Sequence, residues 1–237
     1  MGKKQQDAAA RYDRAVNYAP AEALGLVKSL AHAGFDETVE AAFNLGIDAR
    51  QADQIVRGTV TLPHGTGKKV RVLVFADGEK ARDAQAAGAD IVGGSELAQA
   101  ITAGTQPLDW DVTIAVPGMM SEVGKLGRLL GPRGLMPNPK AGTVVSPADM
   151  GRAVTEAKAG RVEFRLDKTS NIHVVIGKAS FDEQKIFENF TALMEGLRKA
   201  RPSAAKGDYI KHITMTTTMG PGVKIDPNLA QAMEETE

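Results

Sequence analysis

The 237-residue chain contains no cysteine. That excludes disulfides, thiolate metal centres and a cysteine nucleophile, and it fits a reducing cytoplasm. The chain also lacks net charge: 29 Lys and Arg balance 29 Asp and Glu. Strong non-specific attraction to polyanions is therefore not expected, and any nucleic-acid binding must be local and shaped. No apolar run reaches 18 residues, so no membrane-spanning helix is expected. The N-terminal "MGKKQQDAAARYDRA" lacks the apolar core of a secretory signal.

Signatures of catalysis are missing too. His32, His64, His173 and His212 are scattered without ligand-type spacing, so no metal is expected. "HGTGKK" (64–69) has Lys69 where a phosphate loop needs Ser or Thr. "FADGEKA" lacks the Gly-x-Gly-x-x-Gly of dinucleotide-binding turns. No nucleophile elbow is present. The expectation is a non-enzyme without cofactors.

What is present is a change of period along the chain. "AEALGLVKSLAHA" spaces Leu24, Val27 and Leu30 at helical intervals, with Pro20 before it. In "FDETVEAAFNLGID", Phe35, Val39, Ala41, Phe43 and Leu45 fall on odd positions, as in a half-buried strand. "DARQADQIV" predicts a short helix capped by Asp48. From Lys68 the strands become nearly continuous apolar runs, "KKVRVLVFAD", "ADIVGG" and "DVTIAVPG", alternating with helical segments, one of them capped by Ser95. That pattern predicts a parallel sheet covered on both faces. After Gly160, "RVEFRLDKTSNIHVVIG" predicts a hairpin with "DKTSN" as its turn. "FDEQKIFENFTALMEGLRKA" predicts an amphipathic helix, "DYIKHITMTTT" a strand, and "NLAQAMEETE" a frayed acidic tail. The economical fold combines α+β and α/β: a split domain I from both termini (1–66 and 160–237) and an inserted Rossmann-like domain II (67–159). Two Gly-rich crossings would permit hinge motion.

Two stretches have the chemistry of a binding surface. Lys125 to Val144 holds four Gly, three Pro and four basic residues, Lys125, Arg128, Arg133 and Lys140, with no acid. It reads either as a stiff solvated loop or as a phosphate-contacting one. "TTTMGPG" (216–222) carries no charge. If its strand stays regular, Thr214, Thr216 and Thr218 face away from Ile213 and Met215. Hydroxyls both donate and accept, which suits ribose 2′-OH groups and base edges. Met219 offers an adaptable apolar contact, and Gly220 lets RNA approach the main chain.

"GRLLGPRGLMPNPKAGTV", with "FDETVE", "VRGTVTLPHG", "GADIVGG", "DKTSNIH", "GKASF" and "TTTMGPG", closely resembles the bacterial ribosomal protein L-one family from about Tyr12 to Asp226. The resemblance implies the same split organisation. It also implies binding to large-subunit rRNA at the base of a mobile stalk near the tRNA exit site, assistance in the release of deacylated tRNA, and repression of the operon through its own mRNA. It implies a cytoplasmic protein of the large ribosomal subunit, monomeric when free. The implied RNA-binding residues are Phe35, Thr38, Glu40, Lys168, Thr169, Thr216, Thr217, Thr218, Met219 and Gly220. Lys125, Arg128, Arg133 and Lys140 are implied as a secondary contact. Ser170 stands where many relatives have Gly, so it must accept a glycine-like backbone angle.

Overall fold

A computed structural model describes residues 6–8 and 10–233, with the side chains of Ala52 and Lys140 outside the description. In chain order the elements are α1 (Pro20–Leu30), β1 (Thr38–Leu45), β2 (Arg57–Thr61), β3 (Val72–Phe75), α2 (Glu79–Ala86), β4 (Ile91–Gly93), α3 (Ser95–Thr102) and β5 (Val112–Ala115). Then follow α4 (Met120–Lys125), α5 (Gly127–Leu130), α6 (Met150–Ala159), β6 (Arg161–Arg165), β7 (Asn171–Lys178), α7 (Glu183–Lys199), β8 (Ile210–Thr217), β9 (Val223–Ile225) and α8 (Pro227–Gln231). The chain divides into two compact units, Met1–Gly67 with Val162–Glu237, and Lys68–Arg161.

The first unit is built on a four-stranded sheet of order β7-β1-β8-β9, antiparallel throughout. Strict alternation sends Val39, Ala41, Phe43 and Leu45 of β1 to one face, where they are buried. Ile172, Val174 and Ile176 of β7, Ile213 and Met215 of β8, and Val223 and Ile225 of β9 join them in one core. Helices α1 and α7 close that face through Leu24, Val27 and Leu30, and through Ile186, Phe190, Leu193, Met194 and Leu197. The rings of Phe43 and Phe190 stack with centroids 6.2 Å apart. The other face of the sheet keeps its side chains half-exposed or exposed.

Several local expectations are corrected here. β6 and β7 do not form a hairpin ladder. β6 pairs with β2 in a separate two-stranded sheet, while β7 pairs with β1. The turn itself is tight, with Asp167 N–H donating to Asn171 O at 2.8 Å. The strands then part because Phe164 and Leu166 bury in the same core as Ile172 and Val174, and Leu166 N–H donates to Val56 O instead. Residues 48–56 hold only a 3-10 turn, Ala52–Gln54, and Asp48 Oδ1 accepts the Arg50 N–H in a local turn rather than capping a helix. Ser95 is the first residue of α3, not its cap. The C-terminal stretch forms α8, whose N-terminus is capped by Asp226 Oδ1 accepting from Asn228 N–H at 2.8 Å; residues 234–237 lie outside the described ones.

In the second unit a parallel sheet of order β4-β3-β5 forms the middle layer. Val72 and Val74 meet Ala84 of α2 and Met150, Ala153 and Val154 of α6 on one side. Leu73 and Phe75 meet Ala98, Ile101, Val123, Leu126 and Leu130 on the other. Both faces of β3 are therefore covered, which is why its sequence is continuously apolar.

Candidate nucleic-acid interface

The apparent plainness of "TTTMG" conceals a buried charge. Glu37, immediately before β1, is 1% exposed. Its Oε1 accepts the N–H groups of His32 and Ala33 at 2.8 and 2.7 Å, and its Oε2 accepts the N–H of Met219 at 2.9 Å. Burial pushes the carboxyl up. The N–H groups of Ala33 and Met219, the Thr217 hydroxyl and the His32 N–H outweigh it, leaving a pKa of about 2. One carboxylate thus ties the loop before β1 to the turn after β8. A second tie comes from Asp36, which accepts Ser180 N–H at 3.0 Å and Ser180 Oγ at 2.8 Å.

These ties hold two apolar side chains in the open. Phe35 is 57% exposed and Met219 is 54% exposed. Phe35 therefore belongs to the loop before β1 and does not join the strand's buried face. Thr38 and Glu40 lie half-exposed at the start of β1, with Glu40 opposite Thr216 in register. Lys178 Nζ donates to Thr38 Oγ1 at 2.8 Å, so a cation also stands at this edge. The Thr38 N–H donates to Thr218 Oγ1 at 3.0 Å, and Thr216 Oγ1 donates to Gly220 O at 3.2 Å. Both hydroxyls keep acceptor capacity beyond these bonds.

Thr217 is different. Its side chain is 2% exposed on the core side, and its hydroxyl, although it helps hold Glu37 ionised, makes no well-formed hydrogen bond. The Thr217 hydroxyl therefore faces the core, unlike those of Thr216 and Thr218. Gly220 also has an internal reason to be glycine: a Cβ there would collide with the Thr217 hydroxyl.

Lys168 and Thr169 do not join this cluster. Their turn lies at the other end of β1, where Leu45 N–H donates to Ser170 O at 2.9 Å and Asn44 Nδ2 donates to Asn171 Oδ1 at 2.8 Å. Seven strand steps separate the two ends, roughly 23 Å. Asp167 organises the turn by accepting from Thr169 N–H, Thr169 Oγ1 and Asn171 N–H, each at 2.8 Å. Chiefly the Asn171 N–H, opposed by burial and aided by Thr169, holds the Asp167 carboxyl below its ordinary value. Ser170 takes a left-handed φ of 63°, alone among the described non-Gly residues. Its Oγ donates to Ile47 O at 2.7 Å, which offsets part of the cost of that angle.

The basic stretch lies in the second unit. Lys125 Nζ pairs with both Glu122 oxygens at 2.8 Å, and Arg133 Nη1 reaches Leu108 O at 3.4 Å. Arg128 is exposed and has no side-chain partner among the described residues. The side chain of Lys140 lies outside them. Sequence reasoning missed Glu37 and Lys178. Glu37 left a signal: an acid on an odd, inward position of an otherwise apolar alternation.

This combination defines a two-unit α/β protein with a pinned edge that exposes both polar and apolar side chains. The chain belongs to the ribosomal protein L1p/L10e family, whose pattern matches residues 27–221. It is 56% identical over 226 residues to large ribosomal subunit protein uL1 of Thermobifida fusca (strain YX), covering 95% of this chain and 94% of that one. It is also 56% identical over 226 residues to large ribosomal subunit protein uL1 of Streptomyces griseus subsp. griseus, covering 95% of this chain and 92% of that one.

Proposed function

We propose that this protein binds large-subunit rRNA at the base of a mobile stalk near the tRNA exit site, through the edge of the sheet where β1 starts and β8 ends. As a member of its family it is a protein of the large ribosomal subunit and not an enzyme. The observation that carries the finer reading is the exposed pair Phe35 and Met219, held by the buried Glu37 beside Thr38, Glu40, Thr216 and Thr218. Two exposed apolar side chains among hydroxyls suit sugars and unstacked bases better than bare phosphates. Gly220 presents its backbone at the same edge. Lys168 and Thr169 supply a second contact at the far end of β1. Arg128, Arg133, Lys125 and Lys140 supply a weaker phosphate contact from the second unit. Release of deacylated tRNA, and repression of the protein's own operon through an mRNA that imitates the rRNA site, follow from the same surface.

The test is a gel shift with an rRNA stalk-base fragment against an unrelated hairpin at matched salt. The fragment is expected to bind at least tenfold tighter, and Met219→Ala should weaken that preference by about 1–2 kcal/mol, as loss of a buried apolar contact does. Equal binding of both RNAs would sink the reading. A nucleotide titration separates it from a nucleotide-dependent enzyme, and any fragment-specific shift separates it from a scaffold that touches no RNA.

A further inference from the structure

The stretch before α1 is a strap along the β9 edge of the sheet. Tyr18 forms a parallel bridge with Ile225: its N–H donates to Lys224 O at 3.0 Å, and its carbonyl accepts the Asp226 N–H at 2.9 Å. The strap thereby covers backbone that an edge strand would otherwise leave unpaired. It is shaped by a local turn. Asp13 Oδ1 accepts the Ala15 N–H at 2.8 Å, and Tyr18 Oη accepts the Asp13 N–H at 2.8 Å. That turn fixes the residue beside Tyr12. The Tyr12 side chain joins the core of the first unit, and its hydroxyl donates to Gly222 O at 3.2 Å. Residues 218–222 connect β8 to β9. This connection is therefore pinned near both ends. Glu37 holds the Met219 N–H from the β1 side of β8, and Tyr12 holds the Gly222 carbonyl from the β9 side. Between the pins Pro221 is buried, while the Met219 side chain stands exposed.

We propose that Tyr12 is a positioning residue for RNA recognition: through Gly222 it sets the backbone of the turn that presents Met219 and Gly220, without touching RNA itself. This rests on the function proposed above. Tyr12 is only 9% exposed, so its ring is not available to stack on a base. Its contribution passes through the carbonyl it holds. Phenylalanine would fill the same space in the core, so packing alone gives no reason for a hydroxyl at this position. One hydrogen bond of this kind shifts an equilibrium about three- to tenfold. RNA that accepts only the held form of the turn binds more weakly in proportion to the molecules that lose that form. Glu37 already keeps most molecules in it. The Tyr12 hydroxyl should therefore matter most where the Glu37 pin is weakened, and the two residues should be coupled although they do not touch.

The experiment measures affinity for the rRNA stalk-base fragment with the full-length chain, Tyr12→Phe, Glu37→Gln and the double variant, each shown to be folded by circular dichroism. Site-resolved amide exchange is measured on the same proteins without RNA. Tyr12→Phe alone should weaken binding about twofold, and about five- to tenfold when added to Glu37→Gln. The Met219 and Gly220 amides should exchange about three- to tenfold faster in Tyr12→Phe, while those of Ala41 and Phe43 in β1 keep their rates. A merely structural residue would speed exchange in β1 and in the turn alike, and that result would overturn the proposal. An equal affinity factor in both backgrounds, or turn amides that do not respond, would overturn it as well. Weakened binding with unchanged exchange would mean that Tyr12 touches RNA directly, which is also contrary to it. Each of these outcomes leaves the proposed function standing, whereas failure of the unaltered protein to prefer the fragment would remove both.

Discussion

At the scale of single residues, Glu37 is the most consequential side chain that an RNA partner would never see. A carboxylate with 1% exposure survives because three backbone N–H groups converge on it. Its folded pKa, about 2, lies below the ordinary 4.5. The stabilisation is therefore complete above about pH 5 and is lost as pH falls toward 2. The shift corresponds to about 3 kcal/mol at neutral pH. Glu37→Gln should cost a comparable amount there, since an amide NH2 must face one of the donors. The gap between the two proteins should narrow by about 2 kcal/mol between pH 7 and pH 3, read from urea unfolding at each pH. A gap independent of pH would show that shape, not charge, joins the Phe35 loop to Met219. Alternation along "FDETVE" placed Val39, Ala41, Phe43 and Leu45 correctly. It could not show that an acid on the inward register would find three donors, because two of them come from the far side of a loop and one from 182 residues away. Thr217 was legible by contrast. Its burial continues the alternation of Ile213 and Met215, so the sequence pattern placed it inward once the strand proved regular through Thr217.

At the scale of elements, the helices and the central strands were legible because their periods are strong, whereas the partner of each strand was not. "DKTSN" announces a turn, but only the burial of Phe164 and Leu166 decides that β6 leaves for β2. The Gly-rich "LPHGTGKK" reads as a flexible crossing by composition. Its first part is in fact pinned by one buried side chain of α7. Asn189, 0% exposed, accepts the His64 N–H at 3.0 Å and donates to Gly65 O and Ile176 O at 2.9 and 2.8 Å. The amide joins helix, strand and loop at one point. The neighbouring His64–Glu188 pair sits at the surface and adds little. Asn189→Leu fills the same space but orphans three backbone groups, and it should lower stability by about 3 kcal/mol in urea unfolding. A loss below about 0.5 kcal/mol would mean that water satisfies those groups and that the loop is not held by α7.

At the scale of the whole molecule, zero net charge coexists with local imbalance. Residues 121–161 carry seven basic side chains against three acids, all within the second unit. The edge formed by Phe35, Met219 and the threonines lies in the first unit, which has its own core. Each unit has buried apolar packing of its own, so each is expected to fold when expressed alone. Charge and shape are thus divided between the units, and their contributions to RNA affinity can be measured separately. In the full chain, ~3–5 neutralised phosphates predict a log–log salt slope of about −2 to −4.5. The first unit alone, residues 1–67 joined to 162–237 by a short Gly/Ser linker, should keep most of the preference for the rRNA fragment over an unrelated hairpin. Its slope should be shallower, because the phosphates met by Arg128, Arg133 and their neighbours are gone. A full-chain slope near −8 would instead require a broad basic footprint. Retention of the fragment preference by residues 68–161, with its loss from the first unit, would move the principal site to the Gly/Pro-rich basic stretch. Hydroxyls, Phe35 and Met219 give a preference that persists at high salt, whereas a basic footprint gives one that fades with it. The two slopes, measured side by side, therefore decide which half of the molecule reads the RNA.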